Sequence, residues 1–251
     1  MSLFHSPEFV GLNGLKAFDL EGCRLLVGPE RGTYGGFDRV APPCVYDALL
    51  AKAGPCRVKL APTSHDPVLF ALSMNALARA GFGVEAVEVN YDLMPTSFSP
   101  SYGNAKKLRK CNEAGFVSRP LERAEWADAH AFLVRDRERA GHHLSVPLGA
   151  IESLESLKPG THQFYGTFSD RLIAAAICLW VNPDILYVYA WGAEKSEYSP
   201  TVHLCSEIYK TPCRILDAGI STLDGMPNLG LMRFKESLGF KPSAKVIMRR
   251  A

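Results

Sequence analysis

Three apolar segments of strand length succeed one another in the middle of the chain: Gln163 to Phe168, Leu172 to Trp180 and Ile185 to Trp191. Ser169-Asp170-Arg171 and Asn182-Pro183-Asp184 separate them. Both separators carry turn chemistry, so the segments are predicted to form an antiparallel meander. The residues beyond Trp191 break the all-β pattern. Ser199 to Tyr209 reads as a helix, Arg214 to Asp217 as a strand, Asn228 to Leu238 as a helix and Val246 to Met248 as a strand. Upstream, helices are predicted over Val45 to Ala53, Asp66 to Arg79, Asn104 to Ala114, Glu125 to Ala140 and Ala150 to Leu157, from apolar spacing and from Pro and Gly at their ends. Strands are expected at Arg24 to Val27, Cys56 to Leu60 and Val84 to Val89, with Phe116 to Arg119 extended. The class is α+β with a crossover, a mixed sheet with flanking helices, and neither all-α nor all-β fits.

The tail has a counterpart near the start. Pro55-Cys56-Arg57 opens a strand, and the next helix ends in Ala80-Gly81-Phe82. Pro212-Cys213-Arg214 opens another, and its helix ends in Leu238-Gly239-Phe240. Cys to Gly spans 25 residues in the first copy and 26 in the second. Shared order, spacing and helix-stop chemistry favour a structural duplication. The Pro-, Ser- and Gly-rich stretch from Met94 to Gly103 marks the boundary, giving a partial unit over residues 1–98 and a fuller one over 99–251.

Composition removes other classes. With 28 Lys and Arg against 26 Asp and Glu, the net charge of +2 is too balanced for bulk attraction to DNA. No apolar run reaches the length of a membrane span, and the first residues lack a secretory leader's pattern. Seven cysteines without a C-x-x-C pair suggest reduced thiols in the cytoplasm, with no metal site. His142-His143, at a helix end, has no carboxylate or thiol at ligand spacing, and Gly28 to Gly36 needs only to be a tight loop.

The run Arg233-Phe234-Lys235-Glu236-Ser237-Leu238-Gly239-Phe240-Lys241 resembles the closing signature of GNAT acyltransferases. Asp217-Ala-Gly219-Ile-Ser221, the Phe234-Lys235 pair thirteen residues further on, and Lys106-Lys107-Leu108-Arg109-Lys110 before Gly115 together resemble the Fem-type (FemAB-like) branch of that superfamily. The resemblance implies two GNAT-like units in tandem, a partial one packed on a fuller one, and transfer of an acyl or aminoacyl group from an activated thioester or ester to a primary amine. It makes acyl-CoA the expected donor, with an acyl carrier protein or aminoacyl-tRNA as the alternatives. One departure bears on the donor. The acetyl-CoA enzymes carry a glycine-rich loop after the central strand, whose backbone N–H groups hold pyrophosphate at a helix start. Here Gly192 to Pro200 holds a single glycine. That loop favours the rival reading, a non-catalytic GNAT-fold module that binds a ligand without turning it over.

By the same resemblance Lys235 stands where many GNAT enzymes place a tyrosine acid. Its ammonium is suited to stabilise an oxyanion or to protonate a leaving group; the bland reading is a solvated lysine. Leu77 holds the matching place in the first copy, which puts the chemistry in the second. Phe234 either stacks on the donor or is core with Leu231 and Leu238. Asp217 orients the lysine, acts as a base, or is a buried hydrogen-bond partner. Glu197 is a candidate base acting through water, and Tyr198 beside it a candidate for binding the substrate. Lys195 and Ser199 are candidates for donor phosphate, Ser221 and Asn228 for a strand-end ligand site, and Lys107 and Arg109 for phosphate on a basic helix.

Overall fold

In the computed structural model, residues 2–27, 34–97, 99–223 and 225–251 are described. The Gly28–Gly36 loop falls mostly outside them, as does Asp224. A short helix α1 (Pro7–Leu12) is capped by Ser6, whose Oγ accepts the Phe9 N–H. Strands β1 (Lys16–Leu20) and β2 (Cys23–Val27) form a hairpin that β3 (Gly36–Phe37) extends to three strands. Next come α2 (Pro43–Ala53), β4 (Cys56–Lys59), α3 (Pro67–Arg79) and β5 (Gly83–Leu93). Asp66 starts α3 as its sequence suggests, Oδ1 accepting the Leu69 N–H at 2.9 Å with Pro67 in the first turn.

The chain then forms α4 (Tyr102–Glu113), β6 (Val117–Pro120), α5 (Trp126–Arg139), α6 (Leu148–Leu157) and the predicted meander of β7 (His162–Phe168), β8 (Leu172–Asn182) and β9 (Ile185–Ala193). Helix α7 (Pro200–Ile208) and β10 (Ile215–Ile220) come after it. These elements belong to one compact unit, residues 93–219 with 233–241. Its strands run in the order β10-β9-β8-β7-β6. Residues 173–179 of the central strand β8 are buried without interruption, because both faces are covered. On one face Ala175 and Ile177 meet Trp126, Phe132 and Leu133 of α5 and Ile151 of α6. On the other, Cys178 lies by Cys205 of α7.

A small hairpin of β11 (Thr222–Leu223) and β12 (Met226–Pro227) leads into α8 (Leu229–Ser237) and β13 (Lys241–Arg250). Here the structure departs from the simple duplication. Strand β13 does not complete the second copy. It lies between β4 and β5, in the unit formed by residues 1–92, 220–232 and 242–251. It pairs antiparallel with β4, Met248 opposite Val58, and its Val246 and Met248 join Val45, Leu49, Leu50, Ala76 and Leu77 in that unit's core. Leu77, the counterpart of Lys235, is a core side chain. Among the described residues no helix is long and apolar enough to cross a membrane.

Candidate functional site

Two irregularities of the sheet open the site. Strand β10 runs parallel to β9, but only Ile215, Leu216 and Asp217 pair, with Ile185, Leu186 and Tyr187. Beyond them β9 continues to Ala193 and β10 to Ile220 without mutual pairing. On its other side β9 stays paired with β8, through a register jump from Ile177 opposite Ala190 to Cys178 opposite Val188. Tyr189 is therefore the extra residue of a β-bulge, which bends β9 where it leaves β10. Parted parallel strands leave main-chain groups and side chains at their carboxyl ends available to a ligand.

Lys235 reaches the stretch of β10 beyond its pairing with β9. Its side chain is 1% exposed, and Nζ donates to Gly219 O at 2.8 Å. The Gly219 N–H donates to Asp217 Oδ1 at 2.7 Å, closing a tight local turn. Gly219 has φ +74°, the left-handed region, and a Cβ there would stand 3.1 Å from the Tyr187 ring. Only glycine therefore turns its carbonyl to the lysine without strain. Burial pulls the Lys235 pKa down to about 7; the Asp217 carboxylate pulls it back up and the Arg137 guanidinium pushes it down further. Near neutral pH this amine exchanges a proton readily.

The residue before it contacts the other strand. Phe234 is half-buried, its ring 5.9 Å from Trp191 of β9 in an edge-to-face arrangement, and Trp191 meets Phe240 at 6.2 Å. Adjacent positions of α8 thus touch the two parted strands, Phe234 on β9 and Lys235 on β10.

The other predicted residues are spread more widely. Lys195 and Glu197 are exposed on the segment between β9 and α7. Glu194 in that segment pairs with Arg171 at 2.7 Å, and this hydrogen bond holds its carboxyl below the usual range. Tyr198 packs its ring 5.2 Å from Phe116. Ser199 precedes α7, makes no side-chain cap bond, and meets the Cys111 sulfur through its main chain. Lys107 and Arg109 project from α4. Ser221 and Asn228 belong to the other unit: the Asn228 N–H donates to Ser221 O at 2.8 Å, and Asn228 Oδ1 caps α8 by accepting the Leu231 N–H at 3.0 Å. The Ser221 hydroxyl is buried with no hydrogen-bond partner among the described residues. Lys235, Asp217 and Phe234 are thus brought together. Trp191, Tyr187 and the Gly219 carbonyl join them unforeseen, although three aromatics at alternate positions of β9 were a signal for such a wall. Among the described residues no group of three or more His, Cys, Asp or Glu is arranged to hold a metal.

No family model matches the chain, and no curated protein does. Solved structures do. The chain resembles FemX, with a TM-score of 0.65 at 12% identity, covering 98% of this chain and 91% of that one. It resembles L-PGS from Bacillus licheniformis, with a TM-score of 0.65 at 11% identity over 95% and 85% of the two chains. A GCN5-related N-acetyltransferase from Kribbella flavida gives 0.50 at 13% identity over 99% and 96%. These likenesses establish the fold: α+β and GNAT-like.

Proposed function

We propose that the protein is a Fem-type, GNAT-fold N-acyltransferase, moving an acyl group from a thioester to a primary amine. The observation that carries this reading is the buried amine of Lys235 on the Gly219 carbonyl, where β9 and β10 part. A lysine with a pKa of about 7 protonates a leaving group efficiently at neutral pH. In the reaction the acceptor nitrogen attacks the thioester carbonyl carbon, and a C–N bond forms. The C–S bond then breaks, and sulfur leaves with a proton from the Lys235 ammonium. The attacking nitrogen loses its proton through water to Glu197, and solvent reprotonates Lys235. The products are an amide and a thiol. Asp217 favours the ammonium form and fixes the turn that presents Gly219 O. Phe234 and Trp191 flank the acyl group or the arm that bears it, and Tyr198 is the candidate contact for the substrate. In this reading Lys195 and Ser199 are the candidates for the donor's phosphate.

The donor in this reading is a thioester on a phosphopantetheine arm, the part common to acyl-CoA and to acyl carrier proteins. The seven free thiols suit a reducing compartment, and we place the reaction in the cytoplasm. The test is an acyl-transfer assay over a panel of acyl thioesters and amines, with the wild type and Lys235→Met. The wild type is expected to show a loss of rate above about pH 7 as the ammonium is titrated. The variant should lose about 10²–10⁴-fold in kcat, the range for a positioned proton donor. Equal rates would remove Lys235 from the chemistry. Saturable thioester binding without turnover for any pair would favour a binding module instead, the reading to which the glycine-poor loop points.

A further inference from the structure

We propose that the outward face of α4 is the docking surface for an acidic carrier protein, which delivers the thioester to Lys235; this rests on the proposed transfer reaction. Helix α4 has two unlike faces. Asn104 and Cys111 are buried, with Leu108 half-buried between them on the same side. Tyr102, Lys106, Arg109 and Lys110 share the opposite, exposed side. The inward face is anchored at both ends to elements of the site. Asn104 Nδ2 donates to Ser237 O at 3.0 Å and to Ser237 Oγ at 2.8 Å, and the Ser101 N–H donates to the same carbonyl. Ser237 is two residues beyond Lys235. At the other end Asn112 Oδ1 accepts from His203 Nε2 of α7 at 2.9 Å, and the Cys111 sulfur meets the Ser199 main chain.

A charge run on a short helix is ordinarily a solvated face. This one differs in what neutralises it. Among the described residues no carboxylate pairs with Lys106, Lys107 or Lys110, and Arg109 has only Glu113, at 3.5 Å with both side chains exposed. Four cations thus stand over one acidic side chain. The same side displays Tyr102, 87% exposed, and an aromatic ring beside cations is the composition of a protein-binding surface.

The observations favour one occupant. Coenzyme A would need its pyrophosphate held, and the segment that does this in acetyl-CoA enzymes has one glycine here. RNA would need positive charge spread over a wide surface, whereas the net charge is +2 and the patch is one helix of 12 residues, about 18 Å long. A small acidic helical protein covers a patch of that length, and charge complementarity orients it. Its phosphopantetheine thioester then enters beside α8. The bonds made and broken are those of the transfer reaction, with the carrier's thiol as leaving group.

The experiment is a fluorescence-anisotropy titration of the whole protein with fluorescein-labelled holo-acyl carrier protein at low ionic strength. Saturable binding is expected, falling steeply with added salt. Lys106→Glu with Lys110→Glu should weaken it at least tenfold. Lys158→Glu, an exposed charge reversal off α4, should change it less than twofold, and circular dichroism checks that each variant is folded. No saturable binding, or equal binding by wild type and the double variant, overturns the proposal. Total tRNA bound more tightly than the carrier, with the same sensitivity to the double variant, overturns it in favour of RNA. Binding is read without turnover, so it is independent of the transfer chemistry. A protein that acylates amines from pantetheine thioesters yet ignores the carrier sinks the docking surface and leaves the reaction standing.

Discussion

A lysine buried to 1% exposure is held at a cost, and the sign of that cost can be measured. In the unfolded chain a lysine titrates near about 10.4, whereas Lys235 in the folded protein titrates at about 7. Between those values the unfolded state binds more protons, so stability rises with pH across that window. Below about pH 7 both states are protonated and the whole penalty is present. Lys235→Met is therefore expected to melt above the wild type at pH 6, with the difference shrinking toward pH 10; thermal melts at pH 6, 8 and 10 check this. Gly219, which receives the lysine, gives a second expectation. Gly219→Ala forces φ +74° on a residue with a Cβ and drives that carbon against Tyr187, which should cost at least about 1–2 kcal/mol in urea unfolding. At this scale the sequence was half legible. The position of Lys235 in a GNAT-like closing helix singled it out, but nothing in the string shows that a glycine carbonyl 16 residues earlier would receive it. That contact depends on how far β10 runs beyond its pairing with β9.

Helices and strands were more readable, because caps, breakers and apolar spacing are local. Pro67 and Gly81 bracket α3, and Asp170 and Pro183 separate the meander's strands, as their chemistry requires. The hairpin of β1 and β2 escaped notice. Its two-residue loop, Glu21-Gly22, has positive φ at both positions, a type I′ pattern in which Glu stands where Asn or Asp would have signalled the turn. Strand β1 is half-exposed and alternates weakly, so its period gave little to read. The bulge at Tyr189 was equally hidden, since a bulge is a property of register between strands. One element-scale contact has a measurable weight. Arg250 of β13 donates to Leu50 O at 2.9 Å and Gly54 O at 2.7 Å at the end of α2, and to Ala80 O at 3.0 Å at the end of α3. A cation there satisfies orphan carbonyls of two helices and opposes both dipoles. Arg250→Met is expected to destabilise the protein by about 2 kcal/mol, read from denaturant midpoints, with Lys a partial substitute.

Across the whole molecule, element order predicted the class while strand order did not. The duplicated pattern of strand, helix, strand, helix, strand is present along the chain, yet β13 lies between β4 and β5. Spatial order among strands is set by which apolar face is left uncovered, and Val246 and Met248 complete a core begun by α2 and α3. A chain stopped after Lys241 should therefore lose hydrogen-exchange protection in β4 and β5, while β7, β8 and β9 stay protected; exchange mass spectrometry resolves the two sets of peptides. The same placement has a consequence for biosynthesis. Ribosomes deliver residues 56–59 and 83–93 long before residues 242–251, so the early strands wait with apolar surface uncovered until β13 has been made. Exposed apolar surface of that kind is what draws a nascent chain into aggregation, so the order of synthesis works against the order of packing.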